Sequence, residues 1–315
     1  MACPDCANDS RHSCVVCRLP VFSGDYEDIF TEQPICQPCY STLRPRPLRQ
    51  PMMGRSVGYE FEFLFSSHHY QKYQLLFDEL RRWGQIKHDG SLEGDSRFPC
   101  EAELATHWGE GEALWEMLGA IMGVFNSGPF GYNNTCGLHM HVGMLDSTEV
   151  QRRRIYSWWR LLEPAIQLFV PAHRLGNQYC HAARGYDYGT NRYMSLNVSA
   201  FRRGSSAPGT FEVRLHHMTF DHRIVKGWTQ FVLGFFDTFQ QVRLTRQMRN
   251  DVCYMDNRDK LIFMMQQIKA PLSLWKYAVL TMRNNYKSNL RSQLLMTDPW
   301  IVLNHYQDNI TAEAA

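Results

Sequence analysis

Apolar and polar residues alternate in six short segments between residues 57 and 217. A period of two is typical of strands that bury one face and leave the other polar. The predicted strands are Val57 to Phe65, Gln85 to Leu92, Cys100 to Thr106, Gly137 to Gly143, Tyr193 to Ser199 and Thr210 to His217.

Longer segments carry apolar residues three and four positions apart, which predicts helices. They are Tyr70 to Trp83, Gly111 to Phe125, Thr148 to Val170, Ile224 to Met248 and Arg258 to Lys269, with more helix after Leu272. Strands come first and helices dominate the last third, without a regular strand-helix-strand cycle. This order favours an α+β domain on a largely antiparallel sheet over a doubly wound fold.

Four of the predicted strands carry charged or imidazole side chains two positions apart. Residues at i and i+2 of a strand point to the same side of the sheet, so each pair lies on one face. The pairs are Glu60 with Glu62, Glu101 with Glu103, His139 with His141, and Glu212 with Arg214.

One such pair would fit the solvated face of an ordinary antiparallel sheet. Solvated faces usually contain Thr, Lys, Ser and Gln, whereas these four strands supply only Glu, His and Arg. Glutamates that face a common cavity repel one another unless a cation neutralises them. We therefore expect divalent ions there, and oxygen-rich ligation suits Mg²⁺ or Mn²⁺ better than zinc.

The first 42 residues hold six of the ten cysteines, in three Cys-x-x-Cys pairs. Cys14, Cys17, Cys36 and Cys39 have the spacing of a complete tetrahedral zinc site. Cys3, Cys6 and His12 supply only three ligands toward a second zinc, which stays open. Such a module is stabilised by its metal, and its role is architectural or a grip on a macromolecular partner.

Residues 43 to 55 follow as a linker, because Leu43 to Met53 contains three prolines and three arginines. Residues 56 to 315 form the predicted α+β domain.

The net charge of +2 gives no reason to expect nucleic acid or an anionic membrane as a partner. The N-terminus has no signal-peptide pattern and no stretch is apolar enough to span a membrane, so we expect a cytoplasmic protein.

The ordered motifs resemble the amidoligase family, whose sheet is similar to the catalytic domain of glutamine synthetase. The resemblance covers roughly residues 56 to 221. Its motifs are Gly58-Tyr-Glu60-Phe-Glu62-Phe, Asp89-Gly-Ser-Leu92, Glu101-Ala-Glu103-Leu, Cys136-Gly-Leu-His139-Met-His141-Val-Gly143, Arg192-Tyr-Met-Ser-Leu-Asn197 and Thr210-Phe-Glu212-Val-Arg214-Leu.

The resemblance implies an ATP-dependent carboxylate-amine ligase that forms an amide or isopeptide bond through an acyl phosphate. It implies ATP, a carboxylate and an amine as substrates, and the cysteine-rich module hints that one substrate is borne on a peptide or protein.

The implied metal ligands are Glu62 and Glu101 for one Mg²⁺ or Mn²⁺ ion and Glu60, His139 and Glu212 for the other. His141 would contact phosphate and Arg214 the transferring phosphoryl group. Arg192 would hold a substrate carboxylate, and Asp89 would attract the incoming amine.

One departure affects the ligand set: many relatives follow the first acidic residue of Glu101-Ala-Glu103-Leu with Ile-Val-Ser-Pro, so Glu101 ranks above Glu103. Simpler roles also remain for three residues. Arg214 could pair with Glu212, Asp89 could form an Asx turn, and Asn197 could cap a strand end. A metal-dependent hydrolase and a non-enzymatic zinc adaptor are the competing functions.

Overall fold

A computed structural model describes residues 12–13, 20–21, 26–27, 34–35, 54–66, 70–175, 177–183, 192–202 and 209–289. Four two-residue strands form two antiparallel hairpins near the N-terminus, namely β1 (His12–Ser13) with β2 (Pro20–Val21) and β3 (Tyr26–Glu27) with β4 (Pro34–Ile35). Cys3, Cys6, Cys14, Cys17, Cys36, Cys39 and the side chain of His12 lie outside the described residues, as does the linker from Leu43 to Met53. The zinc module therefore stays a prediction.

A six-stranded sheet organises the rest of the chain, and all of its strand pairs are antiparallel. Its order is β6-β7-β5-β8-β10-β9. The strands are β5 (Val57–Phe65), β6 (Gly84–Lys87), β7 (Cys100–Thr106), β8 (Gly137–Gly143), β9 (Leu196–Asn197) and β10 (Thr210–His217). The prediction of a mixed helical and antiparallel architecture is confirmed.

Eight helices in the described residues pack against the sheet or against one another. They are α1 (Tyr70–Arg81), α2 (Gly111–Ser127), α3 (Glu149–Ile166), α4 (Ser199–Arg202), α5 (His222–Phe239), α6 (Arg246–Tyr254), α7 (Asn257–Gln267) and α8 (Leu272–Asn289). In the described residues no helix is long and apolar enough to cross a membrane.

Alternate residues of the central strand β5 build the core. Tyr59, Phe61 and Phe63 are almost fully buried. The rings of Phe61 and Phe63 pack against Phe125 of α2, and the Tyr59 hydroxyl lies 2.7 Å from Thr229 Oγ1 of α5. Because successive strand residues alternate in direction, this packing turns Glu60 and Glu62 to the opposite face.

Local side-chain hydrogen bonds explain where the observed elements differ from the predicted ones. The strand predicted to continue to Leu92 ends at Lys87, because Asp89 forms an Asx turn by accepting from the Ser91 amide. The predicted strand Tyr193 to Ser199 is reduced to Leu196–Asn197, and Asn197 accepts from the Ser199 amide as α4 begins.

Two predicted long helices are also shorter than expected. The helix predicted to run to Val170 begins after a Thr148 capping box and ends at Ile166, just beyond Pro164. The segment predicted as one helix to Met248 is two helices, α5 and α6. Thr245 caps α6 by accepting from the Met248 amide.

Candidate functional site

Six side chains from strands β5, β7, β8 and β10 converge on the polar face of the sheet. The register places Glu60 opposite His139, Glu62 opposite Glu103, and Glu212 opposite His141. Directly opposed residues in a ladder share a face and have neighbouring Cβ atoms. Antiparallel pairing therefore brings polar side chains from strands that are far apart in the chain into one continuous acidic patch.

Two groups of donors within this patch have the spacing of metal ligands. Glu60, His141 and Glu212 each offer one atom within 4.8 Å of the others, and so do Glu62, Asp89 and Glu103. The first group combines two carboxylates with an imidazole, and the second contains carboxylates alone. Both donor sets fit the oxygen-rich preference of Mg²⁺ or Mn²⁺.

His139 lies between the two groups. Its Nδ1 atom is 3.0 Å from Glu60 Oε2 and 3.8 Å from Glu212 Oε1, while its Nε2 atom is 3.5 Å from Glu62 Oε1. The side chain is almost fully buried. The His139 imidazole thus contacts carboxylates of both donor groups, so a change of charge in one group can affect the other through His139.

The electrostatics of the patch follow from burial and from these contacts. Burial would raise the pKa of Glu60, but its contacts with His139 and His141 outweigh burial and hold that pKa well below the usual range. His141 responds in the opposite sense: burial would lower its pKa, but Glu60 and Glu212 raise it. Burial, together with the charge of Glu60, raises the pKa of Glu103 to about 7.

Glu103, rather than Glu101, lies in the second donor group. Glu101 stands two residues earlier on the same face, opposite Leu64, and its carboxylate is 3.4 Å from His88 Nδ1. Asp89 belongs to the same group as Glu103 while its Oδ1 atom accepts from the Ser91 amide. The Asx turn and the donor role of Asp89 are therefore compatible.

Arg214 and Asn197 both contact Glu212. Arg214 Nη1 donates to Glu212 Oε1, and Asn197 Nδ2 donates to Glu212 Oε2 at 2.7 Å. Burial would lower the pKa of Arg214, but Glu212 and then Glu60 and Glu62 keep it above its ordinary value. These contacts fix both oxygens of Glu212 and place a guanidinium beside the first donor group.

Arg192 lies close to the site through Tyr193. The Arg192 guanidinium carbon is 5.1 Å from the Tyr193 ring centroid, and the Arg214 guanidinium carbon is 5.9 Å from the same ring. Arg192 is exposed, whereas Arg214 is buried. The exposed arginine can meet a ligand from solvent, and the buried one faces the donor group.

A cavity of about 430 Å³ adjoins the first donor group. Trp108, Glu110, Leu145, Asp146 and Thr210 are among the residues that line it. The Trp108 ring lies over Gly58, where a Cβ atom would approach it to 3.2 Å, and meets the His141 ring edge to face. The ring is half exposed, so it offers an apolar surface beside the metal-ligand candidates.

The alternation of polar and apolar residues could not identify two residues close to the site, Trp108 and Arg174. Trp108 follows the end of β7, and Arg174 lies in a 3₁₀ turn, Ala172–Arg174. Neither belongs to a strand, so neither contributes to a period-two pattern. Only the folded chain brings them to the polar face.

Comparison with known proteins gives remote structural likenesses. No family model matches the chain, and no curated protein matches it. A solved structure of a GmaS/ADP complex aligns with a TM-score of 0.38 and 10% identity over 78% of this chain and 72% of that one. A bifunctional glutathione synthetase from Pasteurella multocida aligns with a TM-score of 0.40 and 10% identity over 75% of this chain and 47% of that one.

Proposed function

We propose that this protein is an ATP-dependent carboxylate-amine ligase with a glutamine-synthetase-like catalytic sheet. The observation that carries the proposal is the pair of donor groups on one sheet face, with Arg214 beside the first of them. The ordered motifs that resemble the amidoligase family include the strands β5, β7, β8 and β10, which carry the polar pairs of this face. A solvated sheet face would not need two oxygen-rich, partly buried donor groups around a shared buried histidine.

The reaction proceeds in two displacements. A carboxylate oxygen of the acid attacks the γ-phosphorus of ATP, which gives an acyl phosphate and releases ADP. The amine nitrogen then attacks the acyl carbon, phosphate leaves, and the nitrogen loses a proton to yield the amide. Bound Mg²⁺ or Mn²⁺ neutralises negative charge on the phosphates in such chemistry.

The residues of this chain divide the remaining tasks. Glu60, Glu212 and His141 would hold one ion, and Glu62, Asp89 and Glu103 the other, with His139 keeping the two groups together. Arg214 offers a planar pair of donors to the transferring phosphoryl oxygens. Arg192, which is exposed beside Tyr193, binds the carboxylate of a substrate.

The cavity beside His141 fits the base of the nucleotide. Aromatic rings bind nucleobases by stacking, and Trp108 presents a half-exposed ring there. Glu110 and Asp146 also line the cavity and can accept hydrogen bonds from an exocyclic amino group. The phosphates would then extend past Thr210, whose hydroxyl is 3.4 Å from His141 Nδ1, toward the donor groups.

The test is incubation of the full-length protein with Mg²⁺, ATP and pooled carboxylates and amines, followed by mass spectrometry. We expect ADP, phosphate and a product whose mass equals acid plus amine minus water. A Glu212→Gln variant that remains folded serves as the inactive control. Metal-dependent cleavage of amides without ATP would instead establish the hydrolase alternative and overturn the ligase.

A further inference from the structure

Arg174 is a buried guanidinium close to the acidic patch. Its side chain is almost completely removed from solvent, and its Nη2 atom donates to the Arg214 carbonyl oxygen at 2.9 Å. Within the described chain its Nε atom has no hydrogen-bond partner, and no carboxylate lies within the 4.0 Å of an ion pair. A buried cation without a direct anionic partner is costly, so nearby charge must compensate it.

The compensating charge lies across Gly137. A Cβ atom at Gly137 would be 2.7 Å from His139 Nε2, 3.0 Å from Arg174 Nη2 and 3.1 Å from Glu62 Oε2. Two atoms that close to one point are separated by at most about 6 Å, so Arg174 faces the Glu62 carboxylate at short range. Gly137 leaves this space clear because it has no side chain.

The other groups around Arg174 do not supply the missing negative charge. His216 is fully buried, and burial lowers its pKa to about 4. Burial likewise lowers the pKa of His217, and Arg174 contributes to the lowering in both histidines. With these imidazoles neutral, Glu62 is the described carboxylate that faces Arg174 across Gly137, and the acidic patch lies behind it.

Carboxylates outnumber the cationic and imidazole side chains that contact them in the acidic patch. Five carboxylates converge there. Among the described residues, the groups set against them are His139, His141, Arg214, which pairs with Glu212, and Lys87, which approaches Glu103 only to 3.9 Å from a half-exposed position. Glu62 is itself buried and contacts the Gly137 amide and His139. A fixed cation on this side would lower the repulsion that remains when no divalent ion is bound.

We infer that Arg174 is a positioning residue that acts as the permanent counter-cation of the Glu62 side of the site. It is tethered to the Arg214 main chain, stabilises the acidic patch in the metal-free protein and weakens divalent-ion binding, so that the metal can exchange. The inference rests on the proposed metal site. It predicts that removing the charge of Arg174 tightens Mn²⁺ binding, which a purely structural role does not predict. Replacing a residue that only supports the fold would leave metal binding unchanged or weaken it.

The test measures Mn²⁺ binding to the full-length protein by calorimetry, together with the melting temperature with and without Mn²⁺. Arg174→Met removes the charge at similar length, Arg174→Gln removes it but keeps an N–H donor, and Arg174→Lys keeps the charge. We expect Arg174→Met and Arg174→Gln to tighten Mn²⁺ binding by about tenfold or more, while Arg174→Lys stays within about twofold of wild type. The thermal stabilisation by Mn²⁺ should grow in the two neutral variants.

Arg154→Met is the matched control, because Arg154 is also a buried arginine that reaches a backbone carbonyl, that of Gln240. It should lower the melting temperature without changing Mn²⁺ affinity. If Arg174→Met does not fold, the comparison of Arg174→Gln with Arg174→Lys decides the question. Unchanged or weaker Mn²⁺ binding in folded neutral variants overturns this inference alone, whereas a wild-type protein that binds no Mn²⁺ overturns it together with the proposed function.

Discussion

Glu62 of β5 lies directly opposite Glu103 of β7, and the two carboxylates share one face of the sheet. Like charges placed opposite each other destabilise a ladder unless a third group separates or neutralises them. Asp89 adds a further carboxylate to the same donor group. This arrangement is unfavourable as a bare sheet face and favourable as a cation site.

The strand β7 provides a matched pair of variants for this donor group. Glu103→Gln should weaken Mn²⁺ binding by about tenfold or more, because it removes one carboxylate of the Glu62, Asp89 and Glu103 group. Glu101→Gln should leave the affinity nearly unchanged, since Glu101 contacts His88 instead. Calorimetric titration of both variants with Mn²⁺ measures this difference. A larger loss of affinity in Glu101→Gln than in Glu103→Gln would restore the ranking of Glu101 above Glu103 that the sequence resemblance implies.

Arg214→Lys keeps the positive charge but loses the planar fork of donors. If Arg214 stabilises the transferring phosphoryl group, turnover should fall by about 10² to 10³ with little change in ATP affinity. Arg223→Lys is the control, because Arg223 forms an exposed pair with Asp221. Normal turnover in a folded Arg214→Lys protein would leave Arg214 as a structural partner of Glu212 and weaken the ligase proposal.

Trp108→Ala should weaken the binding of a non-hydrolysable ATP analogue by about tenfold or more, because it removes a stacking surface for the base. Trp108→Phe should retain most of the affinity. Tyr254→Ala serves as the control for loss of an exposed aromatic side chain, since Tyr254 is 91% exposed. Equal binding by Trp108→Ala and wild type would place the base outside this cavity.

The stability of the protein should fall in mild acid because of His216. Burial lowers the pKa of His216 to about 4 in the folded chain, from 6.5 for the ordinary side chain. The unfolded state therefore binds more protons between these values, and stability is lost as the pH falls through that window, by on the order of 3 kcal/mol in total. His217 acts in the same direction, because burial lowers its pKa as well.

The His216→Asn variant tests this origin of acid sensitivity. Asn keeps a donor near the Nδ1 position that contacts the His217 carbonyl oxygen, but it does not titrate. Urea unfolding at pH 7 and pH 5 should show a smaller difference in the free energy of unfolding than in wild type. His88→Gln, at an exposed position, should leave the difference unchanged. An unaltered pH dependence in His216→Asn would assign the effect to other groups.

Elemental analysis should find about one tightly bound zinc per chain, because Cys14, Cys17, Cys36 and Cys39 provide one complete set of four thiolates. Replacing Cys14 or Cys36 by Ser should release that zinc. Cys253→Ser should retain it, since Cys253 is an exposed free cysteine in the described helix α6. A metal-free preparation whose first 42 residues remain folded would contradict the module.

Much of the sheet could be predicted from local alternation. The bounds of β5, β7, β8 and β10 agree with the predicted strands, and the side chains that share the polar face follow directly from the period of two. Helix ends were harder to predict, because capping side chains such as Thr245 and the effect of Pro164 override apolar periodicity.

Local alternation along the chain sets the chemical character of the site, namely which strands carry Glu, His and Arg and that these side chains share one face. Which of these side chains meet depends on the folded chain. It joined Glu62 to Glu103 and Asp89 instead of Glu101, set His139 between the two donor groups, and brought Trp108 and Arg174 in from irregular segments. The physical reason is that the direction of a side chain depends on its own strand, whereas strand register and the placement of loops depend on contacts between residues far apart in the chain.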